Sequence, residues 1–411
     1  MIWHILALYI AVLFIICCAF ILAFTILICA YQVLAFRRLV RYIRTQLRFK
    51  PNKSFVPYVS VILPCKGLDP GFEDNISRLL HQNYPAFEVI FAVADKQDPA
   101  YDVINRVISK ETKTKLIVAG YNSHRAQKIN NQLAALQHLD PRCEVLVFSD
   151  SDVIARENFL HNLIAPLEDK EIGVTTGYRF YLHRPGNLAC LLRSLWNRMS
   201  AWEMADPKFA FAWGGAMAIQ RTLFKDASVA VAWDQSADDD LSLTTAVRKL
   251  GKKVHFVPQC LVTTKNDDGW REVVEWMNRQ LILTKVYFRP LWIKAIAKAA
   301  FMALWLLMLL AVIIVCCACA NWYSVCLLVV MLTIIPIELY FLLVGRSLWA
   351  PLLSENAENR VGLLSLILAI PLGHLILPWL TLYSVTTNRI AWRGVSYELH
   401  GPNDVEVIGR R

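Results

Sequence analysis

The first charged residue in this 411-residue chain is Arg37, and no other feature limits the fold as much. The apolar part of the charge-free stretch, about Ile5 to Leu34, exceeds the roughly 20 residues a helix needs to cross hydrocarbon. It has neither a basic start nor a small-residue cleavage site, so it reads as an uncleaved anchor. Directly after it come Arg37, Arg38, Arg41, Arg44, Arg48 and Lys50 with no acid among them. Basic flanks of this kind stay on the cytoplasmic side. Orientation and attraction to anionic headgroups, about 1 kcal/mol per basic residue near the surface, account for the net charge of +10. No nucleic-acid partner is therefore expected.

With 56% hydrophobic residues, the chain is read as a globular part plus membrane segments. Seven of the eleven cysteines (Cys17, Cys18, Cys29, Cys316, Cys317, Cys319 and Cys326) lie in apolar runs. Cys65, Cys143, Cys190 and Cys260 are scattered without CxxC spacing. The pattern excludes a disulfide framework or a zinc ribbon and suits a reduced compartment.

From Pro57 to about Val262 the composition becomes that of a soluble α/β domain. Short β-branched runs at Val59–Leu63, Phe87–Val93, Leu116–Val118 and Glu144–Phe148 are separated by helical patterns such as Gln127–Leu136. Strands alternating with helices predict a parallel sheet with crossovers, whose ligands bind beyond the carboxyl ends of the strands. Past this domain, Glu272–Tyr287 is expected to be a helix at the membrane surface. Apolar runs follow at Ala299–Ala320 and Val325–Val344, with Asn321-Trp322-Tyr323 as a tight outer turn. A third run, Val361–Val385, contains Pro371 and Pro378. Three full spans would leave the C-terminus outside, whereas Arg389, Arg393, Arg410 and Arg411 favour the inner side. The two prolines predict that this last run is broken, does not cross straight, and leaves the tail beside the soluble domain.

The chain beyond the strand ends carries the chemistry. Asp150 and Asp152 stand one residue apart just after a buried strand, and their hard oxygens suit Mg²⁺ or Mn²⁺, which also bridge diphosphates. Asp95 ends the Phe87–Val93 strand and is placed to accept from a nucleoside base or ribose. Asp98, before Pro99, is the better helix N-cap and leaves Asp95 free. Asp238, Asp239 and Asp240 open an amphipathic helix. Acids there complement the helix dipole, but three in a row repel and should raise at least one pKa, as a general base requires. Arg279 reads either as a phosphate clamp or as an ordinary interfacial arginine. Glu338, near Pro336, is a candidate headgroup contact or a helix end at the interface, and His374 is the other ionisable group in the apolar runs.

Set side by side, these segments resemble the ceramide glucosyltransferase family of membrane glycosyltransferases, which includes bacterial hopanoid-linked members. The resemblance runs through Leu63-Pro-Cys-Lys-Gly-Leu-Asp-Pro70, Asn83–Val89, Asp95–Ala100, Lys128–Asn131, Ser149–Val153, Trp213-Gly-Gly-Ala-Met-Ala218 and Asp239–Leu243. The tail Ile390-Ala-Trp-Arg-Gly394 resembles the ending of the bacterial branch. It implies a GT-A (Rossmann-like) α/β domain flanked by transmembrane helices, in a bacterial inner membrane with the catalytic domain facing the cytoplasm.

The boundaries are then an anchor at 1–36, a basic juxtamembrane linker at 37–56 and the GT-A domain at 57–270. An interfacial helix at 271–292, transmembrane or re-entrant helices at 293–388 and a cytosolic tail at 389–411 follow.

Carried over, the resemblance makes Asp240 the base and Asp150 with Asp152 the metal site. Asp95, Lys66, Lys128, Asp150, Gly214, Gly215, Trp276 and Arg279 are implied as substrate-binding residues. Of the family's (Q/R)xxRW motif only Arg279 matches. Trp276 stands where Gln or Arg is expected, and Gln280 where Trp is expected, which argues against a processive polysaccharide synthase. The implied reaction is inverting transfer of one hexose, glucose first among candidates, from a UDP-sugar to a membrane-lipid hydroxyl. Ceramide is the expected acceptor, with a hopanoid or diacylglycerol as alternatives.

Overall fold

The computed structural model describes residues 2–49, 52, 54–109, 111–319, 322–353 and 363–410. Asn321 of the expected outer turn and Lys50 of the basic run lie outside them. The first half of the chain runs α1 (Ile2–Arg48), β1 (Val59–Pro64), α2 (Phe72–Leu80), β2 (Phe87–Val93), α3 (Pro99–Ile108), β3 (Thr114–Val118), α4 (Gln127–Ala135), β4 (Val145–Ser149), α5 (Phe159–Ile164) and β5 (Ile172–His183). Next come α6 (Leu188–Ser200), β6 (Ala216–Gln220), α7 (Arg221–Asp226), α8 (Val229–Trp233), α9 (Asp240–Lys249) and β7 (Lys253–Asn266). Helices α10 (Trp270–Tyr287), α11 (Arg289–Cys319), α12 (Trp322–Leu332), α13 (Ile334–Trp349) and α14 (Leu363–Thr386) follow, and β8 (Arg389–Trp392), β9 (Val395–Gly401) and β10 (Asp404–Arg410) close the chain.

Strands β1–β7 form one sheet in the order β3-β2-β1-β4-β6-β5-β7. Alternation along each central strand supplies both faces. Val145 and Val147 pack with Val59, Val61, Leu63 and Phe159 on one side, while Leu146 and Phe148 pack with Ile62, Ile129 and Trp233 on the other. The expected parallel sheet is corrected at one place: β6 runs antiparallel to both β4 and β5. No crossover helix separates β6 from the Trp213–Gly215 turn that leads into it, so the strand enters from the site end. Asp98 caps α3, accepting from the Ala100 amide, as its place before Pro99 predicts.

Helix α1 continues without a break through Arg48, so the expected linker at 37–56 is helical for most of its length. The reason is a stripe opposite the arginines: Leu39 and Ile43, one turn apart, are fully buried against Tyr178, Phe180, Phe256 and Trp349. Tyr42 Oη donates to the Phe256 carbonyl at 2.6 Å.

Among the described residues, four helical segments are long and apolar enough to cross a bilayer: Ala19–Arg48, Arg289–Cys317, Ile334–Leu352 and Leu364–Thr386. The last was expected to be broken at its prolines, and the structure corrects this: α14 is one helix containing Pro371 and Pro378. Each proline removes only one backbone donor, and the helix continues through both where neighbouring helices pack on it. Its path nevertheless keeps it against the domain. Leu366 and Ala369 pack on Leu191 and Leu195 of α6. A few turns on, Leu380 packs on Ala189, Met277 and Leu281, and Lys285 Nζ donates to the Thr387 carbonyl at 2.7 Å. The preceding helix α13 also ends on the domain, where Trp349 meets Phe180 edge-on at 4.9 Å.

The tail forms a second sheet, β10-β9-β8. Ile390, Tyr397, Leu399 and Val405 join the same core as Ile129 and Ala126. Since both ends of α14 meet the domain, the tail is expected on the domain's side of the membrane. Cysteines introduced as Asn403→Cys and Lys170→Cys should label alike with an impermeant thiol reagent, only after cells are opened. Labelling of the first alone in intact cells would overturn this arrangement.

Candidate active site

The carboxyl ends of β1 and β4 and the start of α9 face one cavity of about 1900 Å³. That is roughly twice the upper range of single small-molecule pockets. Its polar end is lined by Lys128, Asp150, Asp152, Arg179 and Asp240. From there it opens between α1 and α11, past Tyr31, Leu34, Phe301 and Met302.

The turn before β6 builds the polar end. The Gly214 amide donates to Asp240 Oδ2 at 2.7 Å, and its carbonyl accepts from Lys128 Nζ at 3.2 Å. A Cβ on Gly214 would come within 2.7 Å of Lys128 Nζ and 2.9 Å of the Asp239 carboxylate, so any side chain there would push these two charged groups from their places. Gly215 does not line the cavity. Its carbonyl accepts from the Ser149 hydroxyl at 3.1 Å and the Asp150 amide at 3.3 Å, which places the Asp150–Asp152 loop.

Around Lys128 the charges alternate. Its ammonium lies 2.9 Å from Asp150 and 3.0 Å from Asp239. Burial acts to lower its pKa, but Asp150, Asp239 and Asp240 outweigh burial and hold it above its ordinary value. Arg179 of β5 donates to both oxygens of Asp152, at 2.6 and 2.5 Å, and to Asp150 at 3.3 Å. Burial alone would raise Asp150, and Lys128 and Arg179 reverse that, so its carboxyl sits below the usual range. Asp238 is spent on structure, accepting from the Leu241 amide at 2.7 Å. Burial, then Asp239, push Asp240 up to about 6, against the lowering pull of Lys128 and the Gly214 amide. Asp240 is thus a largely buried carboxylate lining the cavity with the basicity of a histidine.

The sequence-derived residues are only partly brought together. Asp150, Asp152, Lys128, Gly214, Asp240, Lys66, Trp276 and Arg279 all line the cavity. Trp276 meets Tyr181 and Trp196 edge-on at 5.1 and 5.5 Å. Arg279 Nη1 donates to the Ala391 carbonyl at 3.1 Å. Asp95 is not part of the wall; its Oδ1 accepts from the Gln97 amide at 2.7 Å. Glu338 is no helix end: buried within α13, it pairs with His374 at 2.8 Å and accepts at 2.7 Å from Nε2 of Gln32, which does line the cavity. Sequence reasoning missed Arg179 and the tail residues Trp392 and Arg393, and took Asp239 only as a member of the acidic triplet. The available signal for Arg179 was a lone arginine inside the otherwise buried β5 run.

Among the described residues no three of His, Cys, Asp and Glu converge as a metal-holding group. Asp150 and Asp152 alone still offer hard oxygens spaced for one divalent cation, with diphosphate oxygens to complete its shell. They fit such an ion once the Arg179 guanidinium withdraws from Asp152.

Residues 17–404 match the family model described as Glycosyl transferase family 21. A ceramide glucosyltransferase from Candida albicans is 28% identical over 123 residues, 26% of this chain and 22% of that protein. Ceramide glucosyltransferase 1 from Caenorhabditis elegans is 25% identical over 118 residues, 28% of this chain and 25% of that protein. The matched stretches therefore span a quarter or less of those relatives. A mannosyltransferase from Pyrobaculum calidifontis, solved in complex with GDP-Man and Mn²⁺, superposes with a TM-score of 0.52 at 16% identity. That match covers 86% of this chain and 99% of the other, and it shows that the two share a fold.

The geometry of Asp240 sets a pH dependence. A base must be unprotonated, so kcat/KM for glycosyl transfer should rise tenfold per pH unit below about 6 and level off above it. Asp240→Asn should cost about 10²- to 10⁴-fold and abolish that limb. A flat profile from pH 5 to 8, or an active Asp240→Asn beside an inactive Asp239→Asn, would move the base elsewhere.

Proposed function

The chain belongs to Glycosyl transferase family 21, and from that premise we propose that it moves one hexose, glucose, from a UDP-sugar to the hydroxyl of a membrane lipid, a ceramide. The observation that carries this reading is the continuous cavity. One end gathers carboxylates and cations suited to a diphosphate and a proton transfer, and the other opens between two apolar helices, α1 and α11. A water-soluble acceptor has no use for that second opening, whereas a lipid needs it.

In this reading the lipid enters between α1 and α11 with its hydroxyl toward Asp240. Asp240 takes the hydroxyl proton while the oxygen attacks the anomeric carbon from the face opposite the diphosphate. The bond from that carbon to the phosphate oxygen breaks, its electron pair leaving with UDP, and the configuration inverts. Lys128, Arg179 and Arg279 surround the place where negative charge grows on the leaving group, so they favour the transition state over the ground state. Asp95, two residues past β2 and outside the cavity wall, is left for the nucleoside only where the donor extends beyond the cavity, and Trp276 forms part of the wall on the acceptor side. Mg²⁺ or Mn²⁺ held by Asp150 and Asp152 would neutralise the diphosphate. The molecule is then a multi-pass membrane enzyme, its catalytic domain on the cytoplasmic side of a bacterial inner membrane.

Purified protein given a panel of UDP-sugars and lipid extracts, with products read by mass spectrometry, should yield a hexosylceramide. Product on diacylglycerol or a hopanoid alone would replace the acceptor. Asp150→Asn and Asp152→Asn should each abolish transfer in a folded protein, as should a chelator. Full activity in chelator, or in both variants, would remove the metal from the scheme.

A further inference from the structure

The hairpin that joins β8 to β9 reaches into the site by a strained route. Trp392 pairs with Val395, so Arg393 and Gly394 are its two-residue turn. Their φ angles are 46° and 77°. A turn with both central residues at positive φ takes Asn, Asp or Gly first, and an arginine there is held at a cost by its surroundings. Those surroundings are specific. The Arg393 guanidinium donates to both oxygens of Asp69, at 3.0 and 3.1 Å, and to the Lys66 carbonyl at 2.8 Å. Its own carbonyl accepts from Lys66 Nζ at 2.5 Å.

Asp69 in turn accepts from the hydroxyl of Ser151, the residue between Asp150 and Asp152, at 3.2 Å. The Trp392 ring lies 5.9 Å from Lys128 Nζ and 5.7 Å from the Arg279 guanidinium. Trp392 and Arg393 both line the cavity. The turn therefore sits where the β1 loop, the β4 loop and α10 meet.

We infer that this hairpin tip is part of the donor site: Arg393 binds the diphosphate of the incoming nucleoside diphosphate, and Trp392 is a positioning residue for Lys128 and Arg279. The inference rests on reading the cavity as a nucleotide-sugar site. If the turn had only to close the hairpin, asparagine or glycine would fit the left-handed backbone without strain. Arginine adds a planar fork that matches two phosphate oxygens at once. Asp69 holds that fork in waiting, and a diphosphate, with more negative charge, draws it away.

The test is equilibrium binding of UDP, with GDP alongside, to the purified full chain. Arg393→Asn suits the turn and removes the fork; it should weaken UDP binding about tenfold or more. Asp69→Asn releases the fork without removing it and should bind UDP at least as tightly as the wild type. Should Arg393→Asn fail to fold, Arg393→Gly takes its place with the same expectation. Unchanged binding in the arginine variant overturns the proposal, and so does an equal loss in both variants, which would make the turn a mere fastening. A wild-type chain that binds neither UDP nor GDP would instead sink the nucleotide-sugar reading itself.

Discussion

The Lys128 ammonium stands between Asp150 and Asp239, at 2.9 and 3.0 Å, and the surrounding architecture depends on that contact. Two unit charges about 4 Å apart interact by about 4 kcal/mol at an effective dielectric of 20. Set against a total stability of about 5 to 15 kcal/mol, uncompensated repulsion among Asp150, Asp152, Asp239 and Asp240 would threaten the fold. Lys128 from α4 and Arg179 from β5 remove most of it. The carboxylates come from two loops far apart in sequence and the cations from two further elements, so the domain must be assembled before any of them is balanced. Asp240 is the member left without a cation on its oxygens, so burial and then the neighbouring Asp239 raise its pKa against only a partial pull from Lys128.

Much of this was legible in the chain. Runs of β-branched residues gave β1 to β4 to within two residues, because buried central strands have no other way to read. Asp150 and Asp152 stood out as a spaced pair just after a buried strand, and Asp240 because three acids in a row are more than a helix start needs. Strands β5, β6 and β7 were not resolved. β5 contains Tyr178, Arg179 and Tyr181 facing the site, and β6 is short and runs against its neighbours. Arg179 was not recognised as a site residue because its partners, Asp150 and Asp152, lie in the loop after β4, and no local spacing announces a contact between such distant segments. Pro371 and Pro378 misled for the opposite reason: their local rule is sound, but tertiary packing overrode it.

The cavity also explains why one chain combines such unlike halves. On the proposed reading the sugar nucleotide is soluble and the lipid acceptor is not, so the reaction has to occur at the boundary between the two phases. Helices α10 and α14 pack along α6 and make the domain's membrane-facing flank part of its own core, through Met277, Leu281 and Leu380. Domain and apolar helices therefore share one packing unit, and separating them would expose the core.

Helix α1 gives that union a consequence in angular phase. Its rows of arginine and of Leu39 and Ile43 lie on different faces of one continuous helix from the apolar half to the domain. One residue inserted between Ala35 and Leu39 would turn everything beyond it by about 100°. Arginines would then meet Phe180 and Trp349, with Ile43 in solvent, though no residue of the site had changed. Length can vary freely in a flexible tether; here it is quantised, and only insertions that restore the turn, three or four residues at a time, keep both halves in register.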